Sequence, residues 1–141
     1  MKSYTSIAQS QVLAKFLPLE SADMWWAERY AGHTTENGEY ISEEKPVYYP
    51  SFSKPSIDNY SQDIIKDIPC WSLAALLDVI NQVKSIWNQR VTILVGRYAG
   101  QHWYVELLKI QNESSAIFIH SKELIDACVE MIIKLYKQRL L

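Results

Sequence analysis

The chain has two cysteines and four glycines, and its three histidines never fall at metal-ligand spacing; these shortages exclude most familiar active sites. Cys70 and Cys128 lie far apart and neither belongs to a CxxC pair, so a disulfide scaffold or a cysteine zinc site has no basis. Each borders or sits inside an apolar helical pattern, where a free thiol acts as a small buried hydrophobe. Gly32, Gly38, Gly96 and Gly100 are isolated from one another. There is accordingly no phosphate-cradling loop, no dinucleotide fingerprint and no GxSxG elbow. HExxH is absent as well, so neither a metal nor a cofactor is expected.

Charge of one sign is also missing. Fourteen Lys and Arg against sixteen Asp and Glu leave a formal charge of −2. A nucleic-acid binder draws much of its affinity from a basic field, and this balance disfavours that class. No apolar run approaches the roughly 18 residues of a membrane span, and the N-terminus MKSYTSIAQSQ lacks the apolar stretch of a signal peptide. The expectation is a cytoplasmic protein without membrane contact. Internal repeats and low-complexity segments are absent too.

What the chain does have is rings: five Trp and nine Tyr in 141 residues. Each buries a large apolar area while keeping one polar handle, which suits a compact core and a binding face equally. With 48% hydrophobic and 21% charged residues the composition is that of an ordinary globular chain, of a length typical for one domain, here 1–141.

Ser6 to Leu17 reads as a first helix with Ile7, Val12, Leu13, Phe16 and Leu17 as its stripe, ended by Pro18. A second, short helix is expected from Ser21, anchored by Met24, Trp25, Trp26 and Tyr30. Two adjacent Trp cannot share one helix face, so one must point away from whatever the other packs on. Between Ala31 and Asp67, Asn37-Gly38 is a turn signal flanked by short strand candidates at Glu39-Tyr40-Ile41 and Val47-Tyr48-Tyr49. Pro46, Pro50 and Pro55 interrupt any long ladder there, and a hidden short element is expected. Ser72 caps a helix carrying Leu73, Leu76, Leu77 and Ile80, with Trp71 placed to staple back onto Leu76. Val91–Gly96, His102–Ile110 and Ala116–His120 then read as an antiparallel meander. Alternation puts Trp103, Val105 and Leu107 on one face and His102, Tyr104, Glu106 and Leu108 on the wetter one. From Ser121 a long final helix runs to about Leu140, with only a narrow polar stripe of Asp126, Glu130, Lys134 and Lys137 or Gln138. The expected fold is therefore α+β. A three- to four-stranded antiparallel sheet packs against the long C-terminal helix and the central helix, with N-terminal helices at one end.

Several groupings of side chains bear on function. His102 and His120 bracket the second and third strands, which makes them an alternative polar site. His33 with Glu20, Asp23, Glu28 and Glu36, or Cys70 with His102, would need the fold to assemble them. Arg90, Arg97, Lys109 and Lys122, interleaved with Tyr98, Trp103 and Tyr104, resemble a single-strand nucleic-acid platform. Alternating charges on the wet face of a sheet are the commoner reason for such a pattern. The eight rings Trp25, Trp26, Tyr30, Tyr40, Tyr48, Tyr49, Phe52 and Tyr60 are too many for one small core to bury easily. Tyr and Trp concentrate at the centres of protein interfaces. They define a candidate surface for a protein partner or for self-association, with packing over the sheet as the plainer use and a small-molecule pocket as a third.

Three segments carry a family resemblance. They are Leu19-Glu20-Ser21-Ala22-Asp23-Met24, the run IPCWSLAALL from Ile68 to Leu77, and Ile125-Asp126-Ala127-Cys128-Val129-Glu130-Met131. They resemble a family of small proteins from gut Bacteroides-type bacteria and their phages or integrated elements, whose members read ADM, then IPAWSLSALLELLP, then ACYEMI. The resemblance spans most of the chain. It implies a cytoplasmic domain of mobile-element origin and carries over no catalytic residue. Where that family has Ala before the Trp, this chain has Cys70, which speaks against a catalytic thiol. The expected function is a small non-enzymatic interaction or accessory protein working through its aromatic N-terminal half. The alternatives are a small enzyme with a His/carboxylate site near the sheet, and a nucleic-acid-associated accessory protein.

Overall fold

In the computed structural model, which describes residues 1–52, 68–98 and 100–141, the order is α1 (Ile7–Leu13), a 3-10 turn (Leu19–Ser21), β1 (Met24–Thr34), β2 (Tyr40–Ser51), β3 (Pro69–Cys70), α2 (Leu73–Asn81), β4 (Ser85–Ile86), β5 (Gln89–Tyr98), β6 (His102–Lys109), β7 (Ser114–Ser121) and α3 (Leu124–Lys137). Two antiparallel sheets result, ordered β2-β1-β3 and β4-β5-β6-β7. The fold is α+β, with the four-stranded sheet packed against α3 and α2.

Helix α2 starts where Ser72 accepts the Ala75 N–H at 3.2 Å, and it buries Ala75, Leu76, Val79 and Ile80. Trp71, just before this cap, is fully buried in the same cluster as Leu76, and its indole N–H donates to Ser21 Oγ at 3.0 Å. Helix α3 buries eight residues, among them Ile125, Cys128, Met131, Ile132 and Leu135, between the sheet and α2. Lys134 and Lys137 in its last turn complement the partial negative charge of the helix C-terminus. In β6, Val105 and Leu107 are buried and Trp103 packs at the core margin, as the alternation requires. Opposite them Ile117 and Ile119 of β7 face the same core, while Glu106 pairs with Leu94 and Phe118 on the outer side. Strand β5 covers the core with Val91 and Ile93, while Val95 is exposed.

Three expectations are corrected. The helix expected from Ser21 is a strand: Ser21 ends a 3-10 turn, and Met24–Thr34 forms β1. The pleat resolves the Trp pair in a way a helix does not, because neighbouring residues of a strand point to opposite faces. Trp26 is buried and Trp25 only half-buried. Second, Ser121 closes β7 and does not cap the final helix. Glu123 occupies the N-cap position without a side-chain cap bond, and α3 begins at Leu124. The Glu123 carboxylate instead accepts the backbone N–H of Lys2 at 3.0 Å. Third, the two short strand candidates merge into the single twelve-residue β2, which runs through Pro46 and Pro50. An edge strand tolerates proline where the missing N–H would have faced away from its partner. Pro55 lies outside the described residues.

At the N-terminus, Ser6 and Gln9 form a reciprocal capping box, with Gln9 N–H donating to Ser6 Oγ at 3.1 Å and Ser6 N–H to Gln9 Oε1 at 2.9 Å. The regular helix stops at Leu13, and single turns carry the chain to Leu17 before Pro18. Leu13 and Leu17 join the core, whereas Val12 is exposed. Lys2 Nζ bridges Asp126 Oδ1 at 3.0 Å, and Gln9 Nε2 donates to the same oxygen at 2.7 Å, pinning the N-terminal segment to α3.

Candidate functional site

Strands β1 and β2 make a long ribbon whose turn holds Asn37 and Gly38, the latter at φ +82°, where a side chain would be strained. One end of the ribbon is rooted in the body. Met24 and Trp25 pair with β3, and Met24, Trp26 and Cys70 form a second small core flanked by Tyr4, Ile7 and Ile68. Tyr4 meets the Trp26 ring edge-on at 5.7 Å. Beneath it runs a buried polar chain. Trp26 Nε1–H donates to Ser10 Oγ at 3.1 Å, the Ser10 and Thr5 hydroxyls share a bond of 2.8 Å, and Thr5 Oγ1 accepts the Trp71 N–H at 3.1 Å. The Thr5 hydroxyl proton reaches Cys70 Sγ, whose own proton points to the Thr5 carbonyl, both at 3.7 Å. In this proton arrangement every member is satisfied, which a buried network requires.

Burial pushes the Cys70 thiol up to about 11, outweighing the Thr5 hydrogen bond that pulls it down. Burial likewise pushes Cys128 to about 12. Both are free buried thiols held protonated, and the partners of Cys70 are Thr5 atoms. A thiolate nucleophile is therefore not available at neutral pH.

The eight rings separate along the ribbon. Trp26 is 7% exposed and belongs to the root, so it leaves the candidate surface; its indole is spent on packing and on Ser10. Trp25 is half-buried at the edge of the same root. Tyr40 (65% exposed), Tyr48, Tyr49 and Phe52 (80% exposed) are open to solvent, and Ile41 and Val47 lie exposed among them. Register places Tyr48 opposite Glu28, Tyr49 opposite Ala27, and Tyr40 opposite Thr34, so rings occupy both faces. The Tyr40 ring lies over Gly32, the position that a Cβ would fill. Tyr30 stands opposite Pro46 in the register, and Tyr60 lies outside the described residues.

The second candidate, His102 with His120, is brought together. Tyr104 pairs with His120, so the two histidines are diagonal neighbours across β6 and β7, with Nδ1 atoms 3.4 Å apart. They sit at one end of the outer sheet face beside Tyr104 and Phe118, whose rings stack at 5.5 Å. Gly96 makes this possible, because a Cβ there would stand 2.8 Å from the Tyr104 ring. Phe118 and Leu94 were not in the sequence-based site, although the alternation in Ala116-Ile117-Phe118-Ile119-His120 marks Phe118 as outward. Neither histidine lines the concavity of about 470 Å³ bounded by Tyr4, Ser6 and Trp26, nor the groove of about 300 Å³ between Ile119 and Ile133.

The remaining groupings do not assemble. His33 is exposed on the ribbon opposite Ile41, while Asp23 caps α2 by accepting the Ser72 N–H at 2.9 Å together with its hydroxyl. Among the described residues no three His, Cys, Asp or Glu come together as a metal site. Arg97 stacks on Trp103 at 5.0 Å and Lys109 on Trp87 at 4.7 Å. Arg97 and Trp103 share the helix-facing side of the strands, whereas Tyr104 and, by alternation along β5, Arg90 lie on the other. Among the described residues no helix is long and apolar enough to cross a membrane. No protein-family model, curated protein or solved structure matches the chain.

Proposed function

We propose that this is a small non-enzymatic interaction protein whose outer β1–β2 ribbon grips a protein partner. The observation that carries this reading is the run of exposed rings at Tyr40, Tyr48, Tyr49 and Phe52 on a ribbon that, among the described residues, is rooted in a small core at its Trp26 end. A two-stranded ribbon is marginal in water without a third strand or a helix to cover it. Rings supply rigid contact area with one polar bond each, the chemistry of an interface centre. Pro46 and Pro50 remove N–H donors from the outer edge of β2, which favours face-on contact through side chains over strand addition. Free buried thiols suit a cytoplasmic setting, where disulfides do not persist. The family resemblance points to a role in phages or integrated elements of gut Bacteroides-type bacteria.

The test is co-purification from such a host with quantitative mass spectrometry, comparing the protein with a Tyr48→Ser, Phe52→Ser double variant. Both positions are exposed, so the variant keeps its fold. A specific partner should be depleted about tenfold or more in the variant, the loss expected for one strong anchor. Equal recovery by both forms rejects the ribbon as the binding surface.

A further inference from the structure

We propose that the β4–β5 turn is a contact point for single-stranded nucleic acid, in which a base stacks on Trp87 while Lys84 and Lys109 hold the flanking phosphates. The site shares no residue with the ribbon and does not rest on the interaction reading above.

The backbone gives the first indication. Strands β4 and β5 are joined by Trp87 and Asn88, at φ +48° and +61°. Two-residue turns of this kind favour Asn followed by Gly, because both positions need positive φ. A bulky ring in that conformation is a genuine outlier, and such strain gathers at functional positions. Burial does not offset it. Trp87 is 66% exposed, whereas Trp26 and Trp71 are buried and Trp25 and Trp103 half-buried. The most open indole of the chain therefore stands on its least suitable backbone.

Charge supplies the second. Lys109 Nζ stands over the Trp87 ring at 4.7 Å and takes one of its faces. Lys109 pairs with Val91, and Val91 donates its N–H to the Lys84 carbonyl at 3.3 Å, so Lys84, Val91 and Lys109 form one row across three strands. Opposed residues share a sheet face, which puts both lysines on the same side, two strand spacings of about 4.7–4.9 Å apart. Arg90 lies at this end on the opposite face. Among the described residues no carboxylate pairs with Lys84, Arg90 or Lys109, although Glu113 adjoins the Ser114 that faces Lys109. The net charge of −2 thus hides a locally positive end. An open ring that any base can cover, with cations beside it for the backbone, is the chemistry of a sequence-tolerant single-strand site. An acidic protein segment would satisfy the lysines but leave the indole unused, and a duplex hides its base faces.

The experiment titrates labelled oligothymidylate and oligouridylate with the full chain at low salt and follows fluorescence anisotropy. Each probe is about eight nucleotides long, inside the roughly 4–16-nucleotide span of such sites. Binding should quench Trp emission, and a preference between the two probes assigns the sugar that the site accepts. With two phosphates neutralised, log K against log[salt] should have a slope of about −1.4, reduced by about 0.7 in Lys84→Gln or Lys109→Gln. Trp87→Asn suits positive φ, so it should keep or raise thermal stability yet weaken binding about 5- to 140-fold, the loss of one stacked base. Trp87→Phe keeps a ring and should retain most of the affinity. The Tyr48→Ser, Phe52→Ser variant should bind as the parent chain, which separates this site from the ribbon. The proposal is overturned if neither probe binds, if Trp87→Asn binds as tightly as the parent, if both lysine variants keep the full salt slope, or if polyglutamate competes as well as an oligonucleotide.

Discussion

The indole N–H of Trp26 donates to Ser10 Oγ at 3.1 Å, tying the first residues of the ribbon to the first helix across a fully buried hydroxyl. With the β3 pairing and the small core of Met24, Trp26 and Cys70, that bond ties the aromatic arm to the body, because Ser10 in turn engages Thr5, and Thr5 engages Cys70 and Trp71. Ser10→Ala removes the acceptor and strands the Trp26 N–H in a dry site. We expect a loss of about 1–3 kcal/mol in urea unfolding, the cost of an unsatisfied buried donor. A change within about 0.5 kcal/mol would mean that the network is not holding the root.

Asp23 and Ser72 are forty-nine residues apart, yet the carboxylate takes both the N–H and the hydroxyl of the residue that caps α2. Asp23→Ala and Ser72→Ala should each cost about 1 kcal/mol, in the range for a lost N-cap. The double variant should fall short of the sum, because removing either group removes the shared interaction. Fully additive losses in a double-mutant cycle would show that the two residues act separately.

The buried thiols make a statement about pH. The Cys70 thiol is raised from 9.0 to about 11 and Cys128 from 9.0 to about 12, in each case chiefly by burial. The folded chain holds its protons after the unfolded chain has released them, so stability falls as pH rises from about 9 toward 11–12 and is unaffected by these groups below that window. At pH 8 the native protein should react with iodoacetamide far more slowly than the denatured protein. Rapid native labelling at Cys70 would contradict its place in the Thr5 network.

Gly96 lies under the Tyr104 ring, where an added methyl group would stand 2.8 Å from the ring atoms. Alanine usually improves a strand that carries glycine, but here it must displace the ring that stacks on Phe118. Gly96→Ala should therefore destabilise by about 1–3 kcal/mol, as overpacking does. Tyr104 and Phe118 ring signals should shift together in NMR. A stabilised variant with unmoved rings would show that this part of the outer face is not packed as described.

The elements easiest to read in the sequence were those whose periodicity repeats over several turns or alternations. Leu73 to Ile80 and Leu124 to Leu135 each repeat a helical stripe, and Trp103-Val105-Leu107 alternate strictly. Such patterns have one partner-independent interpretation, because only one local geometry gathers their apolar side chains on one side. Ser121 was misleading for the opposite reason. A capping residue is a local signal one bond deep, and the ladder to Trp103 holds Ser121 in β7, so the helix starts with an uncapped Glu123.

The N-terminal rings show the division most plainly. Composition alone determined that Trp and Tyr exceed what a small core comfortably hides, and that no cysteine, glycine or histidine motif would turn them into a recognisable active site. Only the tertiary structure decided which ring does what, because each ring's burial depends on contacts far away in sequence. Trp26 is buried because Ser10, Tyr4 and Cys70 surround it, and Met24–Thr34 is a strand because β2 and β3 offer it hydrogen bonds. Likewise nothing in the spacing of His102 and His120 places their Nδ1 atoms 3.4 Å apart; the register of β6 on β7 does. Local sequence sets which backbone geometries are cheap. Long-range pairing sets which side chains meet.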